Sequence, residues 1–128
     1  MGIEHIAIWV SDLEGMRQFY ENYFGAISGQ KYENPRKEFE SYFLEFGTGA
    51  RLEIMKRNTI HQKPDRSLES LGFAHLALSV GSKEIVDEVT RKIQADGFSV
   101  IEGPRRTGDG YYESVALDPE GNRIEITV

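Results

Sequence analysis

Residues 3–10 alternate in character. Ile6, Ile8 and Val10 fall on one side, and His5, Ala7 and Trp9 on the other. Period two predicts a strand with one apolar face. Ser11 or Asp12 stands where a helix cap belongs, and Leu13, Met16, Phe19, Tyr20 and Tyr23 form one helical stripe ending near residue 24. Gly25 suits the C-cap of that helix. Three short strands are predicted next, around residues 26–32, 39–46 and 51–55. Asn34-Pro35 separates the first two, and Gly47-Thr48-Gly49 turns between the last two.

Residues 57–71 show no period. They hold Pro64, Asp65 and several charges, among them Lys63, and read as a surface connection. The pattern then restarts. Residues 73–80 alternate as a strand. Ser82 caps a helix to about residue 95, with Ile85, Val86, Val89 and Ile93 directed inward, and Gly97 ends it. Strands follow near 99–102, 112–117 and 123–128, with Asp118-Pro119-Glu120-Gly121-Asn122 as a turn between the last two. Each half therefore reads strand, helix, strand, strand, strand. The letters repeat too. A shift of 70 lays His5, Ala7 and Val10 on His75, Ala77 and Val80. A shift of 72 lays Gly49, Arg51, Glu53 and Ile54 on Gly121, Arg123, Glu125 and Ile126. Both matches fall at the same points of the pattern, which points to an internal duplication. The expected organisation is one domain over 1–128, with modules at 1–56 and 72–128 joined by a connection at 57–71.

Composition narrows the function. The chain has 128 residues, 15 Lys+Arg against 21 Asp+Glu, and a formal net charge of −6. That balance argues against a nucleic-acid partner, which needs clustered cations. No apolar run approaches the roughly 20 residues that span a bilayer, so no membrane partner is expected. Nothing near Met1 resembles an export signal, and the expected location is the cytoplasm. The absence of cysteine excludes disulfides, thiolate metal sites and Cys nucleophiles. Any metal must be held by nitrogen and oxygen.

The faces of the strands carry the candidate chemistry. In the first strand of each half, the face opposite the aliphatic one bears His5 or His75. In the last strand, Leu52 and Ile54, or Ile124 and Ile126, point one way; Glu53 or Glu125 points the other, with Arg51 or Arg123 beside it. The aliphatic faces should pack on the helices and the opposite faces line a shared concave surface. Taken singly, an inward His is an ordinary hydrogen-bonded residue, and Arg51–Glu53 or Arg123–Glu125 an ordinary ion pair. Buried charge is costly unless paired or metal-bound. Two imidazoles and two carboxylates at equivalent positions of a duplicated unit favour one divalent metal ion, with Zn, Ni, Mn, Co or Fe all suited to the donors.

With these residues in view, the chain resembles the vicinal oxygen chelate superfamily, which includes glyoxalase I, extradiol dioxygenases, methylmalonyl-CoA epimerase and the fosfomycin and bleomycin resistance proteins. The resemblance covers essentially the whole chain. It rests on His5, on Phe19-Tyr20 with Phe24-Gly25, on Glu53 within Arg51-Leu52-Glu53-Ile54, and on His75 within Gly72-Phe73-Ala74-His75. It continues through Gly103-Pro104 and Asp118-Pro119-Glu120-Gly121-Asn122-Arg123-Ile124-Glu125. It implies an α+β fold: two paired βαβββ modules forming a cupped, barrel-like mixed sheet with the helices outside. It also implies a metal held by His5, Glu53, His75 and Glu125, a small-molecule substrate and a homodimer.

Within the superfamily, two His with two Glu is most similar to glyoxalase I. That likeness implies a metal-dependent enzyme of the lactoylglutathione-lyase type acting through an enediolate. Glu125, with Glu53 as partner or alternate, takes a proton from carbon and returns it to the neighbouring carbon. The alternatives are a dioxygenase or thiol transferase on the same scaffold, or a protein that binds a small drug-like molecule. Trp9 stands where bacterial glyoxalase I proteins usually place an Arg for glutathione, which leaves bacillithiol-like and non-thiol substrates open. Trp9 shares a face with His5 and is a candidate pocket wall, or ordinary packing. Pro104 to Gly110, followed by Tyr111, is expected as a mobile loop. There Arg105, Arg106 and Tyr111 are candidate substrate-binding residues, with a solvated surface loop as the plainer alternative. His61 has no partner spacing and is expected to be exposed.

Overall fold

A computed structural model describes residues 1–61 and 71–128. Lys63, Pro64 and Asp65, placed by sequence in the surface connection, lie outside the described residues. The chain divides into two compact units, Met1–Pro64 and Asp65–Val128.

In the first unit, β1 (His5–Trp9) leads through α1 (Leu13–Phe24) to β2 (Ile27–Ser28), β3 (Tyr32–Asn34), a 3₁₀ turn at Pro35–Lys37, β4 (Phe39–Glu45) and β5 (Arg51–Arg57). The sheet order is β1-β5-β4-β2, and β3 also pairs with β4. β1 runs parallel to β5 and the other pairs are antiparallel. Asp12 caps α1 by accepting from the Gly15 amide at 3.0 Å, and Gly25 closes it in the left-handed conformation. The helix buries Leu13, Met16, Phe19 and Tyr20, with Tyr23 half-buried beside them. Leu44, Leu52 and Ile54 are buried on the sheet. A polar girdle edges this contact: Arg17 bridges Glu14 and Glu21, Tyr42 donates to Glu14 at 3.0 Å, and Lys31 meets Glu40 at 2.8 Å.

The second unit is β6 (Leu76–Ser79), α2 (Lys83–Ala95), β7 (Val100–Arg106), β8 (Tyr112–Leu117) and β9 (Arg123–Thr127). Its order, β6-β9-β8-β7, again puts a parallel pair beside antiparallel ones. The strand-helix-strand-strand-strand reading holds in the second unit; in the first, the strand expected over 26–32 is divided into β2 and β3. Val86, Thr90 and Ile93 form the buried stripe of α2. Ile85, expected inward, is exposed, because positions 86, 90 and 93 already fill the face turned to the sheet. Thr90 is accommodated there by donating to the Val86 carbonyl at 2.6 Å and pairing with Ser114 Oγ at 2.5 Å. Buried Asp118 organises the turn before β9. Its carboxylate accepts from the Glu120 and Asn122 amides and from Asn122 Nδ2 at 2.7–3.0 Å. Among the described residues no helix is long and apolar enough to cross a membrane.

Candidate functional site

Register explains why each histidine meets a glutamate. In the first unit Ala7 lies opposite Glu53 across the parallel β1–β5 pair, with His5 opposite Arg51. In the second, Ala77 lies opposite Glu125 across β6–β9. Residues paired in register share a face. A bare methyl beside each glutamate leaves room for the imidazole two residues earlier to lean across. His5 Nε2 stands 3.9 Å from Glu53 Oε2, and His75 Nε2 stands 3.1 Å from Glu125 Oε2. The histidines are 40% exposed, and the glutamates 15% and 24%. The neighbours Leu52, Ile54, Ile124 and Ile126 on the opposite faces are buried.

In the first unit the polar partners differ from the expected ion pair. Arg51 does not turn to Glu53. It pairs with Glu4 and lies over the Phe43 ring, 4.3 Å from its centroid. Glu4 also takes His5 Nδ1, and the imidazole and the guanidinium together hold its carboxyl below the ordinary carboxylate range. This leaves His5 with one nitrogen engaged by a carboxylate and the other facing Glu53. Such an outer carboxylate fixes a metal-ligating imidazole in orientation and tautomer. Phe43 is Glu53's other register partner on β4, and it meets the His5 ring edge-on at 5.3 Å.

In the second unit a second acid joins the face. Glu113 on β8 lies two residues before Val115, the register partner of Glu125, and so on the same side of the sheet. Burial pushes its carboxyl above the ordinary range and Glu125 adds to the rise, while Arg105 and His75 oppose it. A carboxyl raised in the fold binds its proton longer there than in the unfolded chain. Its contribution to stability is therefore present at low pH and is lost as pH rises through the window above about pH 4. Glu113→Gln is expected to raise the Tm of metal-free protein at pH 7, with the gain fading as pH falls toward 3. Thermal melts across that range in chelator check it; a gain equal at both ends would refute the assignment.

The proposed substrate-binding residues are distributed unevenly. Trp9 shares the sheet face of His5 and is 37% exposed. Arg105 and Arg106 lie on β7, not in a loop. The strand resumes pairing after two register shifts, with Arg105 opposite Glu113 and Arg106 opposite Tyr112. Such bulges absorb Pro104, which has no amide to donate. Arg105 Nε donates to Glu102 at 2.8 Å, and Arg106 donates to the Gly110 carbonyl at 3.0 Å. Tyr111 stands exposed at the hairpin end. His61 is exposed, as expected.

Each unit by itself offers one imidazole facing a strand glutamate, His5 with Glu53 and His75 with Glu125. Among the described residues, neither unit gathers three or more metal-type donors on its own. The donor chemistry suits a divalent ion, since neutral imidazole and ionised carboxylate are both at hand near neutral pH.

Known proteins place this architecture. A virulence protein of Salmonella typhimurium is 34% identical over 98% of this chain and 82% of its own length. A protein of Synechocystis named probable lactoylglutathione lyase is 30% identical, covering 98% of this chain and 94% of its own. The solved structure of a possible glyoxalase from Bacillus cereus superposes with a TM-score of 0.73 at 27% identity, covering 100% of this chain and 99% of that one. The sequence model of one family matches residues 2–126, and the chain belongs to it: the Glyoxalase/Bleomycin resistance protein/Dioxygenase superfamily.

Proposed function

We propose that this chain is a metal-dependent enzyme of the glyoxalase type, moving a proton next to a carbonyl on a small substrate. One observation carries the reading: the same histidine-glutamate pair occurs in each unit, at 3.9 and 3.1 Å, on the exposed face of a parallel strand pair. The relative named as a lactoylglutathione lyase supports the reaction class. His5 with Glu53 in the first unit, and His75 with Glu125 in the second, are the proposed ligand pairs for a divalent ion. When bound, that ion supplies Lewis-acid polarisation of substrate oxygens, which acidifies the neighbouring C–H.

The chain's own residues do the rest. Glu4 orients His5 through Nδ1. Glu125 is the proposed base that accepts the carbon-bound proton and returns it to the adjacent carbon, with Glu53 as its partner or alternate. Glu113, raised above its ordinary range by burial and by Glu125, shares the sheet face of Glu125. Phe43 and Trp9 supply apolar surface beside the polar groups.

The test is metal content. Elemental analysis of protein purified without added metal is expected to find about one divalent ion per chain, with His75→Ala losing most of it, since a missing ligand costs far more than the 10–100-fold typical of an outer partner. No ion in wild type, and no thermal stabilisation by added Ni²⁺, Zn²⁺, Mn²⁺ or Fe²⁺, would overturn the reading.

A further inference from the structure

Beyond His5 and Glu53, the same face of the first unit's sheet carries a second cluster. Trp9 on β1 meets Phe39 on β4 edge-on, with ring centroids 6.1 Å apart. Tyr32 on β3, 54% exposed, meets Phe39 from the other side at 5.9 Å. Arg57, opposite Phe39 in register at the end of β5, lies 5.5 Å from the Trp9 centroid and 5.7 Å from that of Phe39. Among the described residues no carboxylate pairs with Arg57, and its shielded Nε has no hydrogen-bond acceptor. Every other cation drawn into this unit's side-chain network, Arg17, Lys31 and Arg51, meets at least one glutamate.

A guanidinium held between aromatic rings, with no counter-charge among the described residues, is built to receive an anion. The rings orient it and lower its hydration, and its planar fork matches a carboxylate. The rings also offer half-exposed π surface to a flat partner. Glu53 and Arg57 are four residues apart on one strand, so the two ends of the face are separated by roughly 13 Å at 3.3 Å per residue. That span fits a substrate with an aromatic ring between its reacting oxygens and an anionic tail.

We infer that Trp9, Phe39 and Arg57 form a subsite for an aromatic carboxylate. The inference rests on the proposed function for what happens at the other end of the substrate, but its test does not. Trp9 is the sole tryptophan of the chain, so its fluorescence reports on this cluster alone. Phenylacetate is titrated into the full-length protein in chelator, with acetate and 2-phenylethanol as partial probes.

Wild type is expected to show saturable quenching by phenylacetate, with each partial probe at least about tenfold weaker. Arg57→Gln is expected to weaken phenylacetate by about tenfold or more, and Arg57→Lys by less, since charge survives but the fork does not. Unchanged circular dichroism shows that the variants are folded. No saturable quenching in wild type, equal response to acetate, or an unchanged midpoint in both variants overturns the subsite. Ni²⁺ uptake by Arg57→Gln, measured separately, is expected to equal wild type. A protein that takes no metal but binds phenylacetate would sink the enzyme reading and keep the subsite; the reverse result would do the opposite.

Discussion

On the proposed function, Glu125→Gln is expected to reduce turnover of a thiol hemithioacetal, such as one formed from methylglyoxal, by roughly 10²–10⁴-fold, the range over which a positioned acid-base group contributes. The variant keeps size, shape and an amide oxygen in place of a carboxylate oxygen. It loses basicity. Because β9 is pinned by Ile124 and Ile126 on its buried face, and not by Glu125, the fold is expected to survive with little change in Tm. The comparison with Glu53→Gln is informative. Both glutamates occupy the same register position beside an alanine, yet their surroundings differ. Glu125 shares its face with Glu113 and stands closer to its histidine, while Glu53 has Phe43 for a neighbour. If Glu125 is the base and Glu53 its partner, the Glu53 variant loses less activity. Steady-state kinetics on folded, metal-loaded protein decides it. Full activity in both variants would remove proton transfer from these residues and favour a binding role.

That pairing was legible in the letters because two independent signals coincided. Period two put His5 and Glu53 opposite the aliphatic core, and the duplication repeated the arrangement at His75 and Glu125. Residues without a duplicate escaped. Glu113 falls, at a shift of 72, on Ser41, so the repeat gave no hint of it. Its place two residues before buried Val115, on the same face, was the available signal, but a single charged position in a strand is more often solvated. Arg57 was hidden differently. The expected strand ends at residue 55, with Arg57 in the surface connection, yet Glu40 and Phe39 on β4 extend the ladder to Lys56 and Arg57.

The strand expected over 26–32 is split into β2 and β3, interrupted over Gly29-Gln30-Lys31, although the Gly29 amide still bonds to the Phe43 carbonyl at 2.9 Å. At β7 the opposite occurred. The glycine and proline of Gly103-Pro104 argue locally for a loop, and only pairing with β8 carries the strand on to Arg106. Tertiary pairing, absent from any local window, decided both cases.

Gly103 is where that pairing is most exacting. Its φ is +81°, and a Cβ there would stand 2.6 Å from the Glu113 carbonyl oxygen and 2.9 Å from the Ser114 Cα. Those are backbone atoms of β8, the strand that presents Glu113, so no side chain can swing aside to make room. Gly103→Ala is therefore expected to destabilise the protein by about 2–4 kcal/mol, adding a left-handed penalty of roughly 1–2 kcal/mol to the cost of forcing the two strands apart. Gly97→Ala is the control. Its φ of +89° imposes a similar backbone penalty, but its Cβ would meet nothing within 4 Å. It should cost only the roughly 1–2 kcal/mol of the conformation. The difference between the two, read from urea unfolding midpoints at equal slope, isolates the close approach from the backbone angle. Equal losses would mean that β7 and β8 separate at no cost. A larger loss at Gly103, with a shifted Glu113-dependent pH response, would show that this strand contact sets the position of the acid beside Glu125.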